Sequence, residues 1–119
     1  MNRKELGARA EVAAARFLES RGLRILEKNF RCKMGEIDLI AEDGAALVFV
    51  EVRSRARSSF GTAAETIGPA KRRKIIKTAQ FYLQSRGLGE RAARFDVVTF
   101  DGGALSHIPG AFSVDGGGF

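Results

Sequence analysis

Cysteine and histidine occur once each in this 119-residue chain, as Cys32 and His107, and tryptophan is absent. A single cysteine excludes a disulfide within the chain and makes a reducing cytoplasm the simplest setting. One cysteine and one histidine cannot build a zinc cluster or a Cys–His pair from sequence neighbours. A Ser-His-Asp arrangement on His107 has nothing in the sequence to place it in a cleft. The longest apolar run, Ala45 to Val50, is far short of a membrane span, so no membrane partner is expected. The opening MNRKELGARAEVAAARF is charged every few residues and lacks the apolar stretch of a secretory signal. No Walker A loop or G-x-G-x-x-G run occurs, and the 14 glycines gather in turns and in the tail.

Positive charge is abundant but unevenly placed. The net charge is +6, with a pI near 10.1. Residues 69–91 hold seven basic residues against Glu90 alone, and the other thirteen basic and thirteen acidic residues cancel. A second basic cluster is Arg53, Arg55 and Arg57. Such a footprint suits a polyanion, and nucleic acid is the expected partner. A solvated helix face that keeps a small protein soluble is the plainer alternative.

Hydrophobic spacing predicts the order αβββαββ and a single domain over residues 1–112. A flexible Gly-rich tail is expected over 113–119. Residues 3–21 read as a helix with Leu6, Ala10, Ala13, Ala14 and Phe17 on its core side and Glu11 on the shoulder. Gly22 marks its stop. Strands are expected over 23–32, 36–41, 46–53, 94–100 and 105–108. Pro69 opens a second helix, cored by Ile75, Ile76, Ala79, Tyr82 and Leu83. Arg72 falls inside that stripe and must leave it or find a partner. In the third strand Val48, Val50 and Val52 take one face and Leu47 and Phe49 the other, which predicts a central strand covered on both sides. The fold class is therefore α/β, a mixed sheet flanked by helices.

The most informative segment is GEIDLIAEDGAALVFVEVRSR, residues 35–55. Side chains alternate along a strand, so Glu36, Asp38 and Ile40 share a face, as do Leu47, Phe49, Glu51 and Arg53. The Asp43-Gly44 turn signal, with an even loop pairing 40 with 47, 38 with 49 and 36 with 51, makes Asp38 and Glu51 diagonal neighbours about 7–8 Å apart. Carboxylates that close repel unless a cation lies between them, and Mg²⁺ or Mn²⁺ is the natural one. In a metal-dependent nuclease such a pair holds the ion against the scissile phosphate, and a cation two residues beyond the Glu stabilises developing charge. Asp38 and Glu51-Val52-Arg53 supply that pattern. Ordinary solvent-facing acids are the alternative, opposed by Leu47 and Phe49 on the same face.

Together with FGTAAETIGPAKRRKIIKTAQFYL, the helix carrying Gly7 and Glu11, and RFDVVTF, this segment resembles the bacterial YraN family over most of residues 5–100. That family in turn resembles Holliday junction resolvases of the PD-(D/E)xK nuclease superfamily. The resemblance implies a restriction-endonuclease-like α/β/α core and a Mg²⁺ (or Mn²⁺) site of Glu11, Asp38 and Glu51. Asp38, Glu51 and Arg53 would be the catalytic set. It also implies branched DNA as substrate and a symmetric homodimer. Arg53 stands where the pattern most often has lysine. Arginine keeps the charge but does not shed a proton, so a nuclease and a non-catalytic nucleic-acid-binding protein with the same fold both stay open. Glu36 has no fixed role in the pattern and serves equally well as an ion-pair partner for a local arginine. Lys71, Arg73, Lys74 and Lys77 on the second helix, with Arg55 and Arg57, are the expected phosphate contacts. Phe60 and Phe81 are candidate stacking or dimer residues.

Overall fold

Gly44 and Ala45 close a tight hairpin at the centre of the chain, and the rest of the sheet grows outward from it. The computed structural model describes residues 3–55, 67–101 and 104–113. Its elements are α1 (Arg3–Ser20), β1 (Arg24–Cys32), β2 (Gly35–Asp43), β3 (Ala46–Arg55), α2 (Pro69–Ser85), β4 (Ala93–Asp101) and β5 (Ala104–Phe112). The five strands form one sheet in the order β1-β2-β3-β4-β5. Only the β3–β4 pair is parallel, because α2 lies in the connection between them and returns the chain to the same end. The fold is α/β with a mixed sheet, in the expected element order.

Each face of the sheet carries one helix. On one side Ala14, Ala15 and Leu18 of α1 pack on Leu39, Ala41, Val48, Val50 and Val98. On the other, Ile75, Ile76, Ala79 and Tyr82 of α2 pack on Ile40, Leu47, Phe49, Phe95 and Val97. β3 is thus buried on both faces, and its aliphatic run follows from that position. Small residues on α1 let the helix approach closely. Its stripe is Ala10, Ala14, Ala15 and Leu18, whereas Leu6, expected in the core, is 49% exposed. The buried face is rotated because Ala15 and Leu18, not Leu6, meet the sheet. α1 stops at Gly22, whose φ of 93° suits glycine, and Leu23 N–H donates to Leu18 O at 3.1 Å. In α2, Arg72 leaves the apolar stripe by donating its Nε–H to Ile67 O (2.8 Å) and lying over the Phe112 ring.

The hairpin register differs from the expected one by two residues. The pairs are Asp43 with Ala46, Glu42 with Leu47, Ala41 with Val48, Ile40 with Phe49 and Leu39 with Val50. Only Gly44 and Ala45 are left in the loop, with Gly44 at φ 58°, the left-handed conformation a tight turn requires. A two-residue slip preserves every face assignment. It does change neighbours: continued one step past Leu39 and Val50, the register sets Asp38 opposite Glu51 instead of diagonal to it. β5 is also longer than expected. It runs through Pro109 and Gly110, a sequence tolerated at a sheet edge, and pairs back to Phe95 after a register shift. Among the described residues, no helix is long and apolar enough to cross a membrane.

Candidate functional site

Regular pairing between β2 and β3 ends at Leu39 and Val50, one step short of the two acids. Beyond it the Val52 N–H donates to Asp38 Oδ2 at 2.8 Å, so the aspartate side chain spans the gap that the backbone leaves. Glu51 follows Leu47 and Phe49 on the α2 face and is only 5% exposed. The two carboxyls lie close enough for one proton to be shared between them. Burial first, then the hydrogen bond to Asp38 and its charge, push the Glu51 carboxyl up to about 8, against the pull of Lys71. Lys71, in the first turn of α2, places Nζ 3.1 Å from Glu51 Oε2. The pair opens into a cavity of about 280 Å³ lined by Gly35, Glu36, Asp38, Glu51, Lys71, Lys74 and Ile75.

Gly35 explains how β2 fits under α2 at this point. Its φ is 153°, and a Cβ there would meet Thr78 Oγ1 at 3.0 Å and Lys74 Cβ at 3.7 Å. Thr78 is wholly buried, with its hydroxyl donated to Lys74 O at 2.7 Å. Glycine therefore lets the β1–β2 turn press against α2, which brings Lys74 over the pocket rim.

Other expected members of the site are arranged differently. Glu11 belongs to α1, on the far face of the sheet from Glu51. Burial, then the charge of Asp38, raise its carboxyl above the ordinary range, while the Asn29 side chain holds it by a hydrogen bond. Glu11 thus senses Asp38, yet among the described residues no group of three or more His, Cys, Asp or Glu is close enough to hold one ion. The contact pair is Asp38 and Glu51. Glu36 is paired with Arg31 at 3.0 Å across the β1–β2 strands, the alternative its sequence context allowed. Arg53 is half-buried and paired in the sheet with Thr99. Of the basic residues, Lys71, Arg73, Lys74 and Lys77 are exposed on α2. Arg55 ends β3, and Arg57 and Phe60 lie outside the described residues. Lys71 as the cation on Glu51 was missed by sequence reasoning. The signal for it is a buried acid on a central strand facing the first turn of a lysine-rich helix.

Residues 10–100 match the model of the family described as Uncharacterised protein family UPF0102. The chain belongs to this family. A UPF0102 protein of Dechloromonas aromatica (strain RCB) is 53% identical over 109 residues, covering 92% of this chain and 89% of the relative. That of Persephonella marina (strain DSM 14350 / EX-H1) is 46% identical over 109 residues, covering 92% and 94%. In Moorella thermoacetica (strain ATCC 39073 / JCM 9320) the figure is 48% over 98 residues, 82% of each chain. The UPF0102 match contains Glu11, Asp38, Glu51, Arg53 and the whole of α2, so the pocket lies inside the part of the chain that defines the family.

Proposed function

We propose that this UPF0102 protein is a metal-dependent, nuclease-like protein that acts on branched DNA in the cytoplasm. The observation that carries the reading is a buried glutamate held against an aspartate, at the mouth of a cavity rimmed by lysines. Two carboxylates, one of them deeply buried, repel when both are ionised. A proton relieves that repulsion, and so would a hard divalent cation taking the same oxygens. Mg²⁺ is commonly held by one or two carboxylates together with water and substrate phosphates, and Asp38 with Glu51 meets that requirement without a third acid. When bound, such an ion polarises a phosphate and lowers the pKa of a coordinated water.

The chain's own residues supply the remainder. Val52 N–H fixes the Asp38 carboxylate in place. Lys71 supplies a flexible cation beside the acids, and lysine, unlike arginine, is able to release a proton. It therefore takes the role that Arg53, at the usual motif position, does not fill. Arg53 remains suited to hold a phosphate bidentately. Lys74 and Lys77 extend the positive rim along α2 and position the DNA backbone without reading sequence. A pair of copies, one per strand of a branch, accords with the resolvase resemblance.

The test is cleavage of a panel of linear, forked and four-way DNA with Mg²⁺ or Mn²⁺. Expected are nicked products from branched forms, lost in both Asp38→Ala and Lys71→Met. Protein that leaves every DNA uncut with either ion would sink the catalytic reading. Lys71, whose Nζ lies 3.1 Å from Glu51 Oε2, is a cation already beside the acids and favours a second reading, a binder that retains the fold without chemistry. It predicts steeply salt-dependent DNA binding that neither EDTA nor Asp38→Ala alters.

A further inference from the structure

The carboxylate pocket is continued along α2 by a second feature, of different chemistry. Lys71, Lys74, Lys77 and Phe81 follow one another at three- and four-residue steps, so they form a stripe down one side of the helix. The first two line the carboxylate pocket, and the last two line a groove of about 490 Å³ beside the β1–β2 turn, where Met34 and Leu83 add apolar wall. Gly35 joins the two, since it lines the carboxylate pocket beside Lys74 and follows Met34 in the chain. Phe81 is 42% exposed, a high value for a ring on a helix that otherwise points its aromatic residue inward. It is not an isolated side chain. Phe30 lies behind it with centroids 6.4 Å apart, and Tyr82 meets Phe30 edge-on at 5.1 Å. Arg86 lies over both Phe30 and Tyr82. Phe81 is therefore the aromatic wall of the groove, backed by Phe30 and Tyr82, and the rim on the pocket side is cationic at Lys77.

Ten residues of helix separate Lys71 from Phe81, about 15 Å along the axis. That span accommodates a short run of nucleotides of one strand. A row of ammonium groups leading to an exposed ring is the arrangement that binds a strand by its backbone and then by a base face. A paired base keeps its faces in the helical stack and cannot use such a ring.

We infer that this groove stacks an unpaired nucleobase of the strand whose phosphate lies at the Asp38–Glu51 pocket. The preferred ligand is then DNA in which single-stranded nucleotides adjoin a duplex, not a fully paired branch. This inference rests on the DNA reading above and narrows its substrate.

The test compares binding, by fluorescence anisotropy in EDTA, of a forked duplex with an unpaired arm and of a blunt duplex of the same sequence. The full chain is expected to prefer the fork. Phe81→Ala should weaken fork binding about tenfold and leave duplex binding within about twofold, while Phe81→Trp restores the preference. A 2-aminopurine placed in the arm should change its emission on binding wild type and not on binding Phe81→Ala. Lys77→Gln should weaken both DNAs and lower the salt slope by about one. Equal binding of the fork by wild type and Phe81→Ala overturns the inference while leaving the DNA reading intact. So does a shift of Phe81→Ala from dimer to monomer in sedimentation with fork preference unchanged, which would assign the ring to a second copy of the chain. Failure of wild type to bind either DNA overturns both.

Discussion

Among the described residues two acids are deeply buried on this sheet, and they are treated in opposite ways. Asp96 on β4 is wholly buried on the α1 side and surrounded by donors: Arg94 Nε at 3.0 Å, His107 Nε2 at 2.7 Å and the Gly110 N–H at 3.0 Å. Arg94 is anchored in turn by Asp43 at 2.9 Å. Every lone pair that matters has a partner, and the network ties β4, β5 and the end of β2 together. Glu51 on β3 is buried on the α2 side beside a second carboxyl, with one lysine as counter-charge. Its carboxyl is driven up to about 8, well above the ordinary value. A buried acid supplied with donors reads as a structural device. One placed against its own kind reads as a site awaiting something positive.

If that contrast is right, removing Asp96 should be the most damaging change in the molecule. Asp96→Ala leaves Arg94 and His107 without their shared acceptor inside the sheet, and breaking such a network by removing one partner costs about 3–5 kcal/mol. Urea unfolding should show it as a lower midpoint with an unchanged slope. A loss under about 1 kcal/mol would mean that the cluster is only decorative, and the comparison would fail at its structural end.

Glu51→Gln should have the reverse sign. Glutamine can donate to Asp38 and accept from Lys71, so the contacts are kept and the excess charge is lost. The Glu51 carboxyl is raised, so the folded state holds a proton that the unfolded chain releases in the ordinary carboxylate range. Its favourable contribution is complete below about pH 4.5 and is lost as pH rises through about 8. Without divalent ions, wild type should therefore lose stability across that window. Glu51→Gln should be flatter and more stable than wild type by about 2–4 kcal/mol near pH 9. Parallel pH profiles for the two proteins would show that Glu51 is not strained.

Much of this arrangement was legible in the chain, and the parts that were not share a cause. Alternation along β2 and β3 put Asp38 and Glu51 on one face of the sheet because parity survives any even loop. The register itself could not be read, since Asp43-Gly44 fits a two-residue loop as well as a longer one, and only packing chooses. Composition displayed the basic helix but not that Lys71 would turn toward Glu51, because a lysine-rich face looks the same whether solvated or paired. Asp96 drew no role from the sequence, since its partner His107 lies on the next strand and the shift between Phe95 and Val97 hides their approach. Glu11 was expected by resemblance, but among the described residues no three-acid group lies close enough for one ion, and α1 packs across the sheet from Glu51.

Divalent ions should sharpen the contrast from the other side. At about ten times its Kd, Mg²⁺ or Mn²⁺ should stabilise wild type by about 1.4 kcal/mol, or about 3–6 °C in melting temperature. The effect should grow with pH, since the ion competes with the proton on Glu51. It should vanish in Asp38→Asn and Glu51→Gln and persist in Asp96→Asn if that variant still folds. Equal stabilisation of all four proteins would place the ion elsewhere.

The smallest expected effect concerns Glu36, which lines the same cavity yet is paired with Arg31 at 3.0 Å. Both side chains are well exposed, 72% for Arg31 and 41% for Glu36, and pairs of this kind contribute little because water and salt screen them. Arg31→Ala should therefore change stability by less than about 0.5 kcal/mol, and Glu36→Gln should leave the metal-linked rise in melting temperature as it is in wild type. An acid that belonged to the pocket would behave otherwise. Freed from Arg31, it would add negative charge beside Asp38, tighten Mg²⁺ and steepen the pH dependence. A thermal titration of Arg31→Ala with Mg²⁺ separates the two cases, and tighter binding there would enlarge the site from two acids to three.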